Sequence, residues 1–455
     1  MCLVGKHGES EGLLAKRKVL LVTYIFPPVG GIGVQRALSM ARYLPEHGLE
    51  VHVLTASNPA APVRDQSLLK LVPEHVTVHT AMTAEPPFYL RKKVWDLLGG
   101  GRKKAGAPAP AAGEPVKPSA APSLAGRLKA IPQRILCPDP QVLWVPFAIR
   151  RAKQIIRRHG IDAVLATAPP FSVFLISNAI KQAFPHVKVV SDFRDEWLRF
   201  YLTDFDFLRS DYTVRRATEI ERDTITLSDR VVAVTHSSLD EIRSRYPDQP
   251  AEKFEMIANG YDPAALSGVV SRPHGQPGKM IVTHTGTAYR TASPKFYLDA
   301  VDRLPEQIQQ SIETRFIGRV TETETEIFSG RGHRVDMRGF MPQGEALALS
   351  GETDYLLLTM TNDFSLPGKM FEYLAIRKPI LALSPPGGEV DRLLRETRAG
   401  WCVPHDDPAA IARMLTQAWE RLRAQPPASF EPDTEAIQQY ERFRLAGRMA
   451  HVLSS

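Results

Sequence analysis

The chain is 455 residues long, which exceeds what one hydrophobic core usually serves and therefore predicts two domains. Its hydrophobic content of 43% and charged content of 24% are typical of a globular protein. The net charge of +7 suits a nucleic acid, an anionic membrane or a phosphorylated ligand, but the chain has neither zinc-finger spacing nor an aromatic RNA-binding strand motif. No nucleic acid partner is expected.

The cysteines and the apolar runs predict a cytoplasmic location. Three cysteines lie far apart, which indicates a reducing compartment and disfavours a disulfide framework or a cysteine-based zinc site. Residues 1–17 lack the apolar core of a signal peptide and are predicted to be a disordered tail. No run approaches the roughly 20 apolar residues of a membrane-spanning helix.

The first part of the chain begins as a doubly wound α/β domain. Residues 18–23 and 50–55 are apolar runs typical of buried parallel strands, and a helical pattern lies between them. A glycine-rich turn precedes that helix, where bare backbone could approach a ligand. Its spacing does not match the dinucleotide-binding G-x-G-x-x-G, so a plain tight turn is the alternative. The glycines of this turn are Gly30, Gly31 and Gly33.

The middle of this domain departs from regular alternation. Residues 98–126 contain almost no large apolar residue and are predicted to be a disordered insertion. The flanking segments combine arginine and lysine with tryptophan and phenylalanine, and a helical stretch further on carries Arg150, Arg151, Lys153, Arg157 and Arg158. Such a surface suits the inner face of an anionic membrane, and a solvated helix face over core aromatics is the alternative.

Strands and helices then alternate in two blocks. The pattern predicts a first domain over 18–259, a linker rich in glycine and proline over 260–278, and a second domain over 279–425. A tail over 426–455 follows, after a cluster of prolines. Two α/β domains of similar size leave a cleft outside the carboxyl ends of their strands, where ligands usually bind.

The strongest candidate site is the stretch 366–375, between two apolar runs of strand length. Pro367 and Gly368 mark the start of a short helix. Lys369 and Glu372 are three residues apart and lie on one face of its first turn. The helix N–H groups and the lysine can bind phosphate, and the carboxylate can accept hydrogen bonds from ribose hydroxyls. A surface ion pair on an ordinary helix is the alternative.

Two further candidates follow predicted strand ends. Three carboxylates and an arginine lie within five residues at 192–196, a costly cluster when buried, although a structural Arg–Asp pair that ties the loop would also explain it. Residues 286–295 follow the first strand of the second domain, and a cation there could neutralise a diphosphate. The candidates are Asp192, Arg194 and Asp195 in the first cluster, and Gly286, Thr287, Arg290 and Lys295 in the second.

No metal site is predicted. The thirteen histidines are scattered along the chain, and no D-x-D sits at a strand end. His52, His284 and His333 are therefore interpreted as structural.

In their order and spacing these segments resemble the family 4 retaining glycosyltransferases of the GT-B fold, and among them the bacterial branch that builds surface and capsular polysaccharides. The resemblance spans residue 18 to the C-terminus. It rests on the following motifs: Phe26-Pro27-Pro28-Val29-Gly30-Gly31-Ile32-Gly33-Val34-Gln35-Arg36, Pro138-Asp139-Pro140, Ala168-Pro169-Pro170-Phe171-Ser172, Asp192-Phe193-Arg194-Asp195-Glu196-Trp197, Asn259-Gly260-Tyr261-Asp262 and Pro367-Gly368-Lys369-Met370-Phe371-Glu372-Tyr373.

The resemblance implies an α/β protein of the GT-B fold: two Rossmann-like doubly wound domains facing a cleft, with a C-terminal helix that crosses back to the first domain. It implies transfer of a sugar from a nucleotide-diphosphate sugar to a saccharide acceptor, lipid-linked or free, in surface polysaccharide biosynthesis. The first domain would bind the acceptor and the second the donor. No cofactor or metal is expected. A peripheral contact with the inner face of the plasma membrane is expected.

The resemblance also implies roles for individual residues. Glu372 matches the acidic residue that holds the ribose, and Lys369 and Arg290 are the expected phosphate partners. The catalytic candidates are Lys369, Asp195 and Arg290; the donor-binding candidates are Glu372, Gly368, Gly286, Thr287, Lys295 and Tyr373; Gly30, Gly31 and Gly33 would face the diphosphate and acceptor, with Asp192 and Arg194 on the acceptor side. One departure stands out, since Phe364 occupies the position of the first acid of the family's E-x₇-E motif.

Three other functions stay open. The glycines of the first turn could belong to a dinucleotide-dependent oxidoreductase, although Gln35 and Arg36 break that fingerprint. Asp195 and Glu196 could serve a GT-B sugar-nucleotide epimerase. Phe364 keeps a non-catalytic member of a polysaccharide assembly complex in consideration.

Overall fold

The structure is a computed structural model that describes residues 16–61, 63–86, 135–199, 210–269, 278–289, 292–331, 335–424 and 429–455. Most of the predicted N-terminal tail at 1–17, the whole predicted insertion at 98–126 and Arg290 lie outside the described residues. Two compact units divide the chain: Met1–Asp192 with Tyr201–Arg230 and Ala450–Ser455, and Phe193–Phe200 with Val231–Met449.

Seven strands form the first sheet, in the order β3-β2-β1-β4-β5-β6-β7. The pairs β1–β2, β1–β4, β2–β3 and β6–β7 are parallel. The order reverses between β1 and β4, which is the topological switch point of a doubly wound sheet. The strands are β1 (Lys18–Val22), β2 (Glu50–Ala56), β3 (Thr77–Ala81), β4 (Ala163–Ala168), β5 (Lys188–Phe193), β6 (Arg230–Ala233) and β7 (Phe254–Met256).

The helices along this part of the chain are amphipathic and carry local end signals. Ser210 accepts a hydrogen bond from the backbone N–H of Thr213 and completes a capping box, which begins the longest of them. Gly160 ends another in the left-handed conformation, with φ of 64°. The helices are α1 (Gln35–Tyr43), α2 (Val145–His159), α3 (Val173–Ala183), α4 (Asp211–Leu227) and α5 (His236–Arg245), with 3-10 turns at Ile32–Val34, Leu44–His47, Gln66–Leu71, Pro140–Trp144 and Ala251–Lys253.

Six strands form the second sheet, in the order β10-β9-β8-β11-β12-β13, with every pair parallel. The order again reverses beside the first strand of the block, between β8 and β11. The strands are β8 (Met280–Thr285), β9 (Ile312–Ile317), β10 (Val335–Gly339), β11 (Tyr355–Thr359), β12 (Ile380–Leu383) and β13 (Gly400–Val403). The prediction of two doubly wound α/β sheets is confirmed.

The continuous apolar run of β11 follows from burial on both faces of its sheet. Leu356 and Leu358 belong to one core cluster, whereas Tyr355 and Leu357 belong to the other. Helices cover both faces, as a parallel sheet requires. The helices of this part of the chain are α6 (Lys295–Val301), α7 (Glu306–Ser311), α8 (Gln343–Gly351), α9 (Gly368–Ile376), α10 (Glu389–Thr397), α11 (Pro408–Arg423), α12 (Thr434–Gln438) and α13 (Arg442–Ser454), with 3-10 turns at Pro263–Leu266 and Glu322–Phe328.

Two strands are absent from the sequence prediction, β3 and β13. Both lie at a sheet edge. Four of the five residues of β3 are exposed or half-buried, and all four residues of β13 are half-buried. Neither therefore presents the continuous apolar run by which the central strands are recognised. Across the part of the chain that the structure describes, no helix has the length and apolarity to cross a bilayer.

Candidate functional site

Helix α9 begins where the strongest sequence candidate predicts, directly after Pro367. Pro367 is extended, with φ of −68° and ψ of 143°, and no side chain caps the helix. The backbone N–H of Met370 bonds back to the carbonyl of Pro367 at 2.9 Å. The N–H groups of the first turn before Met370 have no partner within the helix, so this end can bind an anion.

Lys369 turns from this helix end toward the end of β8. Its Nζ donates to the carbonyl oxygen of Thr285 at 3.0 Å and lies 3.1 Å from Nε2 of His284. Burial lowers the pKa of Lys369 to about 7, opposed by the nearby Glu372 carboxylate. The lysine is therefore poised between its charged and neutral forms near neutral pH.

His284 is the support for that lysine. Its Nδ1 lies 3.1 Å from the carbonyl oxygen of Leu357, which can only accept, so Nδ1 carries the proton and Nε2 faces Lys369 as an acceptor. Burial first, and then the Lys369 charge, hold the pKa of His284 well below its usual range. Sequence analysis interprets this buried histidine as structural, and the structure gives that role a purpose: it orients the lysine.

Gly286 lies beside the lysine tip at the end of β8. A Cβ added to Gly286 would sit 3.6 Å from Nζ of Lys369, and the residue is left-handed with φ of 106°. Gly286 and Thr287 are both exposed. The backbone of Gly318, at the end of β9, packs directly against Gly286. A Cβ added to Gly318 would fall 2.0 Å from the carbonyl oxygen of Gly286. The two glycines let the strand ends approach each other, and the exposed Gly286 places no side chain over the tip of Lys369.

Glu372 lies one turn further along α9 and is half-buried. Its Oε1 accepts a hydrogen bond from Nε2 of Gln343, on α8, at 2.5 Å. Burial raises the pKa of Glu372, while Gln343, Arg442 and Lys369 act in the opposite direction. Among the residues that the structure describes, Oε2 shows no hydrogen-bond partner. The second oxygen can accept from a ligand.

Two of the predicted donor contacts are placed differently by the structure. Tyr373 is only 1% exposed, and its hydroxyl accepts from the backbone N–H of Thr285 at 2.8 Å, so it supports the loop from beneath and does not face a ligand. Lys295 is exposed and pairs with Asp299 of its own helix at 2.7 Å. Its predicted phosphate contact has no support in this geometry.

In the first unit the glycine-rich turn follows β1, at the switch point of the sheet. Gly31 is exposed and left-handed, with φ of 94°, and a Cβ there would meet nothing within 4 Å. Gly30 donates its backbone N–H to the carbonyl of Val63 at 3.0 Å. Gly30 and Gly33 are half-buried. The turn thus offers bare backbone at the position where sheets of this topology bind ligands.

Asp192 does not face an acceptor, which corrects its predicted role. It is fully buried, and Arg36 donates to both of its oxygens, from Nε to Oδ2 at 2.8 Å and from Nη2 to Oδ1 at 2.7 Å. Thr167 donates to Oδ2 at 2.7 Å. The structural Arg–Asp pair that sequence analysis left open exists, but its arginine lies 156 residues earlier in the chain. It joins α1 to β4 and β5.

The rest of the acidic cluster separates. Arg194 and Glu196 are buried, whereas Asp195 is exposed. Burial first, and then repulsion from Glu241, raise the pKa of Glu196 to about 7, although Nη1 of Arg245 lies 3.5 Å away. In the sequence analysis Glu196 is a candidate only for the epimerase function. No sequence pattern connects it with its neighbours Glu241 and Arg245.

An unforeseen arrangement surrounds Phe364, where the family's first acid is missing. The guanidinium of Arg199 lies over the Phe364 ring, 4.2 Å from its centroid. Arg199 also donates from Nη2 to Oδ1 of Asp363 at 3.0 Å. The Phe364 ring is thus covered by an arginine, and a guanidinium can meet a negatively charged or hydroxyl-bearing ligand.

Two doubly wound parallel sheets, one with a glycine-rich turn after β1 and the other with the start of α9 after β11, are the architecture of the GT-B class. Residues 107–265 match the family model for glycosyltransferase family 4, and residues 279–421 match that for glycosyl transferases group 1. The chain belongs to this family of GT-B glycosyltransferases.

Solved structures share the fold along almost the whole chain. HepE of Anabaena in complex with UDP superposes with a TM-score of 0.60 at 15% identity, covering 96% of this chain and 99% of HepE. Sucrose-phosphate synthase of Thermosynechococcus elongatus gives 0.62 at 13% identity, covering 96% and 98%. WaaG, a glycosyltransferase involved in lipopolysaccharide biosynthesis, gives 0.55 at 12%, covering 96% and 100%.

A curated relative is similar over a shorter stretch. The probable glycosyltransferase WbjE of Pseudomonas aeruginosa is 33% identical over 85 residues. That stretch is 18% of this chain and 21% of WbjE, so the chain matches about a fifth of that relative's length.

Proposed function

We propose that this protein is a retaining glycosyltransferase of the hexosyltransferase type. It moves a sugar from a nucleotide-diphosphate sugar to a saccharide acceptor in surface polysaccharide biosynthesis. The observation that carries the proposal is the end of α9, where uncapped N–H groups, Lys369 and the exposed Gly286 come together one turn from Glu372. Structural neighbours bound to UDP and to UDP-glucose support a nucleotide sugar as donor.

The site can stabilise the leaving group without a divalent cation. The α9 N–H groups and the Lys369 ammonium would accept the diphosphate, and the free Oε2 of Glu372 would hold the ribose. A bound diphosphate favours the charged lysine and raises its pKa, so donor binding would complete the protonation that burial alone leaves partial. Arg290, outside the described residues, remains a second proposed phosphate partner.

Transfer would proceed on one face of the sugar. The bond between the anomeric carbon and the diphosphate oxygen breaks as the acceptor hydroxyl forms the new bond from the same side, and its proton passes to the departing diphosphate. The protein supplies positioning and charge stabilisation. Asp195 is exposed, where its carboxylate could contact an acceptor, and remains a proposed catalytic residue.

A lipid-linked acceptor is proposed from the outer face of α2. Phe147, Arg150, Arg151, Arg157 and Arg158 are all exposed on this helix. Four arginines around an aromatic ring suit a peripheral contact with anionic lipid on the inner face of the plasma membrane. The likeness to a lipopolysaccharide glycosyltransferase supports this proposal.

The test is a donor and acceptor assay with the full-length chain. UDP- and GDP-sugars are incubated with lipid-linked and free saccharides, with EDTA or with Mn²⁺, and the anomeric configuration of the product is determined by NMR. A retained configuration with equal turnover in both buffers is expected. A new sugar nucleotide formed without acceptor would favour the epimerase, and donor binding without turnover would favour a non-catalytic assembly partner.

A further inference from the structure

Three histidines from separate segments meet in the first unit, away from the glycine-rich turn. His52 lies in β2, His79 in β3, and His159 is the last residue of α2. His52 pairs with Leu20 near the middle of β1, and it is the third residue of β2. The glycine-rich turn instead follows the carboxyl end of β1. The histidine cluster therefore belongs to the other half of the sheet.

The ring nitrogens of the three side chains converge. One ring nitrogen from each residue lies within 4.8 Å of the corresponding nitrogen of the others. Nδ1 of His52 and Nε2 of His79 are 3.1 Å apart, and the ring centroids lie 4.6 to 5.4 Å from one another. Two nitrogens bound to one tetrahedral zinc ion at about 2.05 Å would be roughly 3.4 Å apart. A bound ion would require the rings of the half-buried His79 and His159 to rotate until all three nitrogens reach this spacing.

The innermost histidine is already oriented as a metal ligand would be. His52 is 3% exposed, and its Nε2 lies 3.1 Å from Oε1 of Glu50. A carboxylate can only accept, so Nε2 carries the proton and Nδ1 presents its lone pair to Nε2 of His79. Ligating histidines characteristically donate their second N–H to such a carboxylate, which fixes the tautomer and raises the basicity of the ligand.

We propose that His52, His79 and His159 form a binding site for a divalent transition metal of the zinc type. Three imidazoles suit Zn²⁺, Ni²⁺ or Co²⁺ and not Mg²⁺ or Ca²⁺, which prefer oxygen ligands. A water molecule would take the fourth position. The metal would tie β2 and β3 to the end of α2, so its role is stabilisation of the first unit and not sugar transfer.

The charges around the cluster set its affinity. The guanidinium groups of Arg151 and Arg158 place positive charge near His79. Lys18 lies 3.8 Å from Glu50 and, with the two arginines, opposes a bound cation. The Glu50 carboxylate offsets part of this charge. We therefore expect an affinity below that of a closed cysteine zinc site.

The experiment uses the full-length chain, stripped with EDTA and dialysed. ZnCl₂ is titrated by calorimetry, NiSO₄ and MgCl₂ are run alongside, and thermal unfolding is followed for each. One Zn²⁺ per chain and a raised melting temperature are expected, with a shift for Ni²⁺ and none for Mg²⁺. Binding of Co²⁺ should add visible absorption bands of a tetrahedral nitrogen site.

Matched variants decide whether the three histidines carry the effect. His79→Gln and His159→Gln should each abolish the one-to-one binding, whereas His75→Gln, an exposed histidine just before β3, should leave it intact. Glu50→Gln should keep the stoichiometry and weaken binding about 10–100-fold. Absence of binding by the parent chain, or binding retained in both His79→Gln and His159→Gln, would overturn the proposal and leave a hydrogen-bonded packing cluster.

Discussion

Lys369 should make nucleotide binding depend on pH. Burial lowers its pKa to about 7, so the ammonium is present below that value and is lost as the pH rises through it. A diphosphate binds the charged form, and we therefore expect the affinity for UDP to fall between pH 6 and pH 8.5, by up to about tenfold per pH unit above the pKa. Calorimetry over this range measures it. Lys369→Arg keeps its charge and should flatten the profile, and an equally steep profile in that variant would exclude the lysine as the titrating group.

Removal of the Lys369 side chain should lower turnover more than removal of any other lysine side chain near it. Lys369→Ala deletes a donor to the leaving diphosphate and should lower turnover by roughly two to three decades, the scale of a lost transition-state donor. Lys295→Ala is the control, because Lys295 is exposed and paired with Asp299. Initial rates with the best donor decide the matter. A comparable loss in Lys295→Ala would restore Lys295 as a phosphate partner.

Glu372 offers a different test, because its proposed partner is the ribose and not the diphosphate. Glu372→Gln keeps the shape and one acceptor but removes the charge, so we expect nucleotide affinity to weaken about tenfold, which is the range for a charged hydrogen bond. Glu345→Gln, on the exposed face of α8, is the control. Binding of UDP and of ribose-free pyrophosphate is compared by calorimetry. The substitution should leave pyrophosphate unaffected, and equal losses for both ligands would contradict the ribose role.

The ends of β8 and β9 pack closely because Gly286 and Gly318, where they meet, have no side chains. Gly318 has φ of 143°, and a Cβ there would fall 2.0 Å from the carbonyl oxygen of Gly286. Gly330 is also left-handed, with φ of 73°, but a Cβ there meets nothing within 4 Å. Both Gly→Ala changes carry backbone strain, and Gly318→Ala should lose a further 1–3 kcal/mol, about the cost of overpacking. Urea denaturation midpoints compare the two variants, and equal losses would show that the strand ends can separate freely.

The buried Arg36–Asp192 pair joins α1 to β4 and β5 and should therefore contribute to the free energy of unfolding. Arg36→Met leaves Asp192 charged and buried among α1, β4 and β5, and should cost about 3–5 kcal/mol in free energy of unfolding. The double change Arg36→Met with Asp192→Leu should cost much less than the sum of the single changes. Arg216→Ala, which breaks the exposed pair with Glu219, should cost at most about 1 kcal/mol. Additive single and double losses would refute the coupling.

Sequence alone predicted the central strands of both sheets, which are buried on both faces, but missed two of the edge strands. The central strand β11 reads as an unbroken apolar run because the sheet is covered on each side. Edge strands β3 and β13 are half-exposed and carry no such run. The start of α9 was recognisable for another reason, since Pro367 and Gly368 are local signals that need no knowledge of the rest of the fold.

Long-range contacts explain the site residues that sequence reasoning placed differently. Lys369 was found from its position at a helix start, but its partner His284 lies 85 residues away and is identified only through the fold. Arg36, which pairs with Asp192, is even further from it in sequence, at 156 residues. The three clustered histidines come from segments that share no spacing motif. Scattered histidines along the chain are thus no guide to their separation in space. The order of the short motifs, by contrast, survives any loop length, which is why the family could be recognised.

Binding of a nucleoside diphosphate should stabilise the entire folded chain by mass action. A ligand that binds only the folded state adds RT ln(1 + [L]/Kd), or about 2.7 kcal/mol at 100 times Kd. A panel of UDP, GDP, ADP and the matching monophosphates should single out one diphosphate, because the end of α9 and Lys369 meet the phosphate that a monophosphate lacks. Chemical denaturation with and without ligand measures the shift. The stabilisation should vanish in Lys369→Ala and persist in Lys295→Ala, and equal stabilisation of both variants by the same diphosphate would place the nucleotide elsewhere on the chain.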